Sequence, residues 1–234
     1  MNYVLIPGAW AGAWVWDAVA TKLRQYGHIV HQLTLPGLGN DDDAGQVRLA
    51  THVDAVIEYV ESRNLEDVVL VGHSYSGIVV GIASTRVQQR VAHSVFIEGF
   101  LPVEGKSLLD VSGLDVAHEK RLIRENGGLW PAPTREELEG QPHLSAELID
   151  LLVAKQQDHP GRTVMDQARL AVPLTMLRAT FISEEGWLRS SREADLVETL
   201  RNQRSWEFKV IEGGHWPMLT IPDEISRLLH GIRT

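Results

Sequence analysis

The stretch that decides the fold reads Asp67-Val68-Val69-Leu70-Val71-Gly72-His73-Ser74-Tyr75-Ser76-Gly77-Ile78-Val79-Val80. It predicts a buried strand, a tight turn and a helix that begins with small residues. A serine at such a turn is held in a strained conformation, and small neighbours let the strand and the helix approach closely. Ser74 is therefore the candidate nucleophile, although the usual pattern has glycine where this chain has Ser76.

The alternative interpretation of this turn is a serine-rich loop of a nucleotide-binding fold such as a Rossmann domain. That fold carries Gly-x-Gly-x-x-Gly after a strand, and phosphate-binding loops end in Gly-Lys-Ser or Gly-Lys-Thr. The sequence contains neither pattern. A helix N-terminus directly after Ser74 also favours developing negative charge. We therefore interpret the turn as the site of a nucleophile.

Composition restricts the partners of the chain. Its 234 residues are 44% hydrophobic and 23% charged, which is ordinary for a soluble globular protein. The net charge of −9 argues against nucleic acids and anionic lipid, and the absence of cysteine excludes disulfides and thiolate nucleophiles. No apolar run approaches the roughly 20 residues that span a bilayer. We expect a cytoplasmic protein that acts on a small-molecule substrate and binds neither nucleic acid nor membrane. Composition leaves open whether the protein forms a homodimer.

Short apolar runs alternate with helical periodicity, which is typical of a mostly parallel α/β sheet with helices on both faces. The predicted strands are 3–6, 29–33, 68–72, 94–97, 174–177 and 206–211, and the predicted helices are 14–25, 52–63, 76–88, 192–202 and 223–232. The alternation stops between 101 and 172, where prolines and glycines separate amphipathic segments and no strand is evident. We interpret 101–172 as a helical cap inserted in a core of 1–100 and 173–234, over the carboxyl ends of the strands.

Ten histidines compete for the role of the base that takes the proton of Ser74. His215 follows the last predicted strand in Gly213-Gly214-His215, where a glycine loop can carry an imidazole over the crevice. His73 is expected to be a packed neighbour of the nucleophile. The others divide into surface or core residues (His28, His31, His52, His93 and His230) and cap residues that are secondary candidates for substrate contact (His118, His143 and His159).

An oxyanion hole requires backbone N–H groups that point toward the carbonyl oxygen of the substrate. One is expected from the residue after the nucleophile, Tyr75, and one from the loop after the first strand. That loop reads Pro7-Gly8-Ala9-Trp10-Ala11-Gly12. The candidates are therefore Tyr75 together with Ala9 or Trp10.

Five motifs spread over the chain are similar to those of one known family. They are Val4-Leu5-Ile6-Pro7-Gly8, Gly12-Ala13-Trp14-Val15-Trp16, Leu35-Pro36-Gly37-Leu38-Gly39, Gly72-His73-Ser74 and Gly213-Gly214-His215. With them the chain resembles α/β-hydrolases of the plant methyl-salicylate esterase and hydroxynitrile lyase branch and their bacterial relatives. The resemblance implies a minimal sheet, a helical cap and hydrolysis of small esters without a cofactor. The lyases of this branch carry threonine where this chain has Gly8 and lysine where it has Trp216, which disfavours cyanohydrin cleavage.

The third member of the triad is a carboxylate that orients His215. Its usual place in the family follows the strand predicted at 174–177, where the expected aspartate position holds an apolar residue and Glu184 and Glu185 come shortly afterwards. Glu98 ends the strand after the nucleophile strand, and several haloalkane dehalogenases resemble this arrangement. We predict Glu98 as the acid, with Glu184 or Glu185 as the alternative.

The tryptophans and one run of aspartates are the remaining residues considered for the site. Trp10, Trp130, Trp187 and Trp216 are expected to line an apolar substrate pocket, whereas Trp14, Trp16 and Trp206 are expected in the core. Asp41-Asp42-Asp43 lacks a histidine or glutamate at ligand spacing, so we expect a solvated loop and no metal.

These residues predict a serine hydrolase that cleaves a small, largely apolar ester through an acyl-Ser74 intermediate. Two alternatives stay open. The same triad can hydrolyse a carbon–carbon, lactone or thioester bond, and the fold can serve a non-catalytic protein that binds a small molecule.

Overall fold

The computed structural model describes residues 1–39, 44–190 and 194–233. Its strands are β1 (Asn2–Ile6), β2 (Ile29–Gln32), β3 (Val68–His73), β4 (Val91–Ile97), β5 (Leu129–Trp130), β6 (His159–Pro160), β7 (Ala179–Ser183) and β8 (Trp206–Val210). Its helices are α1 (Asp17–Gln25), α2 (Leu49–Ser62), α3 (Ser76–Arg86), α4 (Leu108–Val111), α5 (Val116–Glu125), α6 (Arg135–Glu139), α7 (Ala146–Lys155), α8 (Gly161–Met165), α9 (Glu185–Ser190), α10 (Ala194–Arg201), α11 (Pro217–Thr220) and α12 (Pro222–His230).

Six strands form one parallel sheet in the order β2-β1-β3-β4-β7-β8. Alternate side chains of each strand point to opposite faces. Tyr3 and Leu5 therefore join a core with α1 and α12, whereas Val4 and Ile6 join a second core with α2, α3 and α10. The α/β fold with helices on both faces is as predicted.

One predicted strand is wrong. Residues 174–177 contain a short 3-10 helix, Leu174–Met176, and the strand that enters the sheet is β7, five residues later. Leu174 and Leu177 are buried while Met176 is 66% exposed, so the apolar residues follow the spacing of one helical turn. The strand at this place in the sheet is formed instead by β7, which contains the β-branched and aromatic run Thr180-Phe181-Ile182.

The segment between β4 and β7, which the sequence predicts as a helical cap, contains α4 to α8. The sequence pattern showed no strand in it, but β5 and β6 pair there as a two-residue antiparallel ladder. Gly161 is required beside this ladder because a Cβ would stand 2.6 Å from the carbonyl oxygen of Gly128. A ladder this short has too few residues to produce a recognisable alternation.

The helix predictions hold to within a few residues. The helix predicted at 52–63 begins three residues earlier, at Leu49, and the one predicted at 14–25 starts with a 3-10 turn, Ala13–Trp16. The start of the helix predicted at 192–202 lies outside the described residues, and so does the Asp41-Asp42-Asp43 run. Within the described ranges no helix is both long and apolar enough to cross a membrane.

Candidate active site

Ser74 sits on a sharp turn at the carboxyl end of β3. Its φ angle is +51°, a left-handed conformation that costs a non-glycine residue about 1–3 kcal/mol. Hydrogen bonds hold the turn from both sides: the Ser74 N–H donates to the Ile97 carbonyl at 3.1 Å, and the Ser74 carbonyl accepts from the N–H groups of Gly77 and Phe100 at 3.0 and 3.1 Å. The strain is therefore stabilised by β4 and by the loop after it.

Small residues around Ser74 are required by contacts with the backbone. A Cβ on Gly72 would stand 2.5 Å from the Ser76 carbonyl oxygen, and one on Gly77 would collide with the carbonyl oxygen of Phe100. Ser76 has a role of its own, because its hydroxyl donates to the Pro7 carbonyl in the loop after β1. The serine that replaces glycine thus connects the Ser74 turn to the loop that carries Ala9 and Trp10.

His215 reaches Ser74 from the loop after β8. Its Nε2 lies 3.0 Å from the Ser74 Oγ, which is hydrogen-bonding distance. The Trp187 ring stacks on its imidazole with centroids 5.3 Å apart. His73 donates from Nε2 to the His215 carbonyl at 2.6 Å. Burial lowers the pKa of His73 well below 6.5, so this ring is a neutral packing partner of His215.

Glu98 stands directly after β4 and is 3% exposed. His73 of β3 pairs with Ile97 of β4, so the next residues of the two strands, Ser74 and Glu98, leave the sheet at the same edge. The Glu98 Oε2 lies 3.8 Å from the His215 Nδ1, and its Oε1 accepts the Glu184 N–H at 2.5 Å. The carboxylate thus faces the side of the imidazole opposite Ser74.

The two alternative acids have other surroundings. Glu184 follows β7 directly, and its Oε1 accepts from the N–H groups of Gly213 and Gly214 at 3.2 and 2.7 Å. It therefore binds the backbone of the loop that carries His215, not the imidazole. Glu185 is the exposed first residue of α9.

The loop after β1 distinguishes the two oxyanion candidates within it. The Trp10 N–H donates to the His159 Nδ1 at 3.4 Å, and Trp10 has a φ angle of +63°. Its N–H is therefore directed into the cap. The prediction of Trp10 as an oxyanion donor is wrong. In the described part of the chain the N–H groups of Ala9 and Tyr75 have no hydrogen-bond acceptor, and both residues line the same cavity as Ser74.

A cavity of about 720 Å³ opens above Ser74 between the sheet and the cap. Three of the four tryptophans predicted for a pocket, Trp10, Trp130 and Trp187, line it. The rings of Trp10 and Trp130 lie 4.3 Å apart, and the Trp130 Nε1 donates to the Glu119 carboxylate at 2.7 Å. The volume and the aromatic walls suit a small, mostly apolar ligand.

The prediction for Trp216 is wrong. It is 2% exposed and packs against His73 with ring centroids 5.1 Å apart. His215 already points toward Ser74, and the adjacent side chain turns into the core. Of the predicted core tryptophans, Trp16 and Trp206 are buried, while Trp14 is half-buried.

The cap histidines have separate surroundings. His118 lines the cavity, His143 approaches the Glu184 carboxylate with its Nε2 at 3.5 Å, and His159 on β6 is fully buried. All three are secondary candidates for substrate contact by sequence, and His118 is the one whose side chain lines the cavity. The position of His159 beside Trp10 was not predicted. Among the described residues no group of three or more histidine, aspartate or glutamate side chains could hold a metal ion.

The fold and this site define a class. The model of the alpha/beta hydrolase family matches residues 3–228, so the chain belongs to that family. Within it, the chain is a carboxylic ester hydrolase of the branch that contains the plant methylesterases. It is 32% identical to methyl jasmonate esterase 1 of Vitis vinifera over 99% of this chain and 96% of the relative.

A bacterial relative is also similar along nearly its whole length, and a solved structure shares the fold. The chain is 28% identical to a carbendazim-hydrolysing esterase of Nocardioides sp. (strain SG-4G), over 97% of this chain and 98% of the relative. Its fold is similar to that of an extracellular alpha/beta-hydrolase from a Paenibacillus species, with a TM-score of 0.83, 20% identity and coverage of 98% and 97% of the two chains.

Proposed function

We propose that the chain hydrolyses small, largely apolar carboxylic esters through an acyl-Ser74 intermediate. The observation that carries this proposal is the hydrogen-bonded pair of Ser74 Oγ and His215 Nε2, 3.0 Å apart, at the floor of an aromatic cavity of about 720 Å³. The strained turn presents the hydroxyl toward that cavity, where the carbonyl carbon of an ester would lie.

In the first half-reaction the Ser74 Oγ attacks the ester carbonyl and its proton passes to the His215 Nε2. The carbonyl oxygen becomes an oxyanion that accepts hydrogen bonds from the Ala9 and Tyr75 N–H groups. When the tetrahedral intermediate collapses, the bond to the alkoxy oxygen breaks, and the imidazolium returns its proton to that oxygen. An alcohol leaves, and the acyl group remains on Ser74.

In the second half-reaction a water molecule gives its proton to His215 and attacks the acyl carbon. Collapse of the second intermediate releases the carboxylic acid and restores the Ser74 hydroxyl. Glu98 acts in both halves by holding the Nδ1–H tautomer of His215 and stabilising the imidazolium. Its distance of 3.8 Å from Nδ1 shortens as positive charge develops on the ring, because catalytic hydrogen bonds tighten in the reacting complex.

For the substrate class, we propose short-alkyl esters, methyl esters first, of acids with a ring. Support comes from the methyl jasmonate esterase and the carbendazim-hydrolysing esterase that resemble this chain. It also comes from the Trp10 and Trp130 rings, which are tilted by 46° to each other and line the cavity with aromatic surface that a substrate ring can contact. We also propose a cytoplasmic location, because a chain without cysteine suits a reducing compartment.

The test compares hydrolysis of methyl benzoate, p-nitrophenyl acetate and a γ-lactone by the wild type, Ser74→Ala and Ser62→Ala. We expect ester turnover in the wild type, unchanged turnover in Ser62→Ala, which alters an exposed serine of α2, and a loss of about 10⁴-fold or more in Ser74→Ala. Ester turnover that survives in Ser74→Ala would contradict the proposal. Stoichiometric binding of ester without turnover would favour a non-catalytic binding protein.

A further inference from the structure

Two buried histidines lie beneath the cavity, next to the segments that carry Ala9 and Tyr75. His52 comes from α2 and His159 from β6 of the cap, and both are fully buried. Each ring packs edge-on against the Tyr75 ring, with centroids 5.6 and 4.7 Å apart, and the two imidazoles lie 5.7 Å from each other. The mechanism described above uses neither of them.

The hydrogen bonds of His159 allow a single tautomer. The Thr163 hydroxyl donates its only proton to the Pro160 carbonyl at 2.6 Å. It must therefore accept from the His159 Nε2, which lies 2.9 Å away and so carries the ring proton. The Nδ1 keeps a lone pair, which accepts the Trp10 N–H. Burial lowers the pKa of His159 well below 6.5, which keeps that lone pair available.

The same argument assigns the tautomer of His52. Its Nε2 lies 2.8 Å from the Pro36 carbonyl, which only accepts, so the proton is on Nε2. Its Nδ1 then accepts the Tyr75 hydroxyl at 2.8 Å. The residue after the nucleophile is thus held through its side chain, while the loop after β1 is held through a backbone N–H.

Both backbone polar groups of Trp10 form hydrogen bonds with the cap. Its N–H donates to His159, and its carbonyl accepts the Gln157 N–H at 2.9 Å. A left-handed non-glycine residue costs about 1–3 kcal/mol and persists only where surrounding contacts fix it. These two contacts fix the orientation of Trp10, and through the chain they fix the direction of the preceding N–H, that of Ala9.

We propose that His159 is a positioning residue for the oxyanion hole, acting through Trp10 on Ala9. It couples the folded cap to the catalytic core, because the acceptor on β6 sets a backbone conformation beside β1. The inference rests on the proposed function, in which Ala9 and Tyr75 hold the oxyanion.

The test uses a matched pair, His159→Asn and His159→Leu, which are close in size. Both lose the bond to Thr163, but asparagine retains an acceptor near the position of Nδ1 and leucine does not. We expect kcat for methyl benzoate to fall by about 100-fold in His159→Leu, with KM within about threefold, because loss of one oxyanion donor has that effect. His159→Asn should stay within about fivefold of the wild type.

A second readout separates positioning from packing. An aryl trifluoromethyl ketone forms an oxyanion with Ser74, whereas the product benzoate does not. We expect the inhibition constant of the ketone to rise about 100-fold in His159→Leu alone, with the dissociation constant of benzoate unchanged in both variants. Should His159→Leu fail to fold, Thr163→Val and Thr163→Ser replace the pair. Serine keeps the hydroxyl that accepts the His159 Nε2–H and valine does not, so we expect kcat to fall only in Thr163→Val.

Two outcomes would overturn the proposal, and a third would reject the proposed function on which it rests. Wild-type kcat in His159→Leu would overturn the proposal. So would equal losses of kcat in the asparagine and leucine variants, because the acceptor would then be irrelevant. A wild type without ester turnover would reject the proposed function itself, a result that these variants do not influence.

Discussion

Glu98 and Glu184 lie close together beside the loop that carries His215, but their carboxylates face different groups. Glu98 faces the His215 Nδ1, while Glu184 binds the Gly213 and Gly214 N–H groups and donates its own N–H to Glu98. In the proposed mechanism the first acts on the imidazole, whereas the second holds the loop that carries it. Removal of each charge should therefore have a different effect on the rate.

We expect Glu98→Gln to lower kcat by about 10³–10⁴-fold with little change in KM, because the amide neither stabilises the imidazolium nor selects its tautomer. Glu184→Gln should lower kcat by less than about 30-fold, since the amide oxygen still accepts from the glycine loop. Glu185→Gln is the control and should leave kcat unchanged. Steady-state kinetics on one methyl ester measure all three, and a larger loss in Glu184→Gln than in Glu98→Gln would contradict the assignment of the acid.

At this scale the candidate residues that sequence could indicate are those with a local signal. Ser74 and His215 are marked by glycine-rich motifs next to strands, and Glu98 by a charge at the end of an apolar strand. The choice between Ala9 and Trp10 was beyond sequence reasoning, because the partner of the Trp10 N–H is His159, separated by 149 positions. Only the packed cap brings these two residues together.

The strand-turn-helix element around Ser74 depends on both Ser76 and Gly77. The Ser76 hydroxyl binds the Pro7 carbonyl, and Gly77 packs against the backbone of Phe100. Both contacts tie the element to neighbouring loops, so they contribute to stability as well as to the geometry of the site.

We expect Ser76→Ala to lower the free energy of unfolding by about 1–3 kcal/mol, because a buried carbonyl loses its donor. Gly77→Ala should be at least as destabilising, since its Cβ meets backbone that cannot move aside. Urea denaturation followed by tryptophan fluorescence measures both, with Ser62→Ala as the exposed control. A Ser76→Ala variant as stable as the control would show that the hydrogen bond to the Pro7 carbonyl does not contribute to the free energy of unfolding.

At the level of elements, the sequence predicted five of the six strands of the large sheet. The miss at 174–177 arose because a short apolar run after Pro173 has the same composition as a buried strand. Because the strand is β7, Glu184 lies directly after it, at the place where the family resemblance leads one to expect the acid.

The whole molecule contains several buried neutral histidines. Burial lowers the pKa of His52 and His93 to about 4, and the pKa of His73 and His159 well below 6.5. An unfolded chain takes up protons on these rings near pH 6.5, whereas the folded chain does so only at lower pH. Acid therefore favours the unfolded state.

We expect the free energy of unfolding to be at its full value above about pH 6.5 and to fall between pH 6.5 and 4. His52 alone contributes about 3 kcal/mol to this loss, at about 1.4 kcal/mol per pH unit. Urea midpoints at pH 7.5, 6.0 and 5.0 measure the slope. His52→Gln should show a shallower slope than the wild type, and His118→Gln, an exposed residue, should not. Equal slopes in all three proteins would refute the prediction.

At the scale of the whole chain, the alternation of strands and helices and its interruption predicted an inserted cap. The contacts between cap and core were not predictable, because they join residues that are distant in sequence through single hydrogen bonds. Those same contacts direct the Trp10 N–H away from the cavity, so the detailed shape of the site depends on the complete fold.

The most direct test of the central claim is covalent labelling with an alkyl fluorophosphonate, followed by intact-mass and peptide mass spectrometry. The chain contains no cysteine, so no thiol competes for the reagent. We predict one adduct per chain on the peptide that contains Ser74, slower labelling in His215→Ala, and none in Ser74→Ala or in urea-denatured protein. An adduct on another residue, or labelling that persists in Ser74→Ala, would contradict the assignment of Ser74 as the nucleophile.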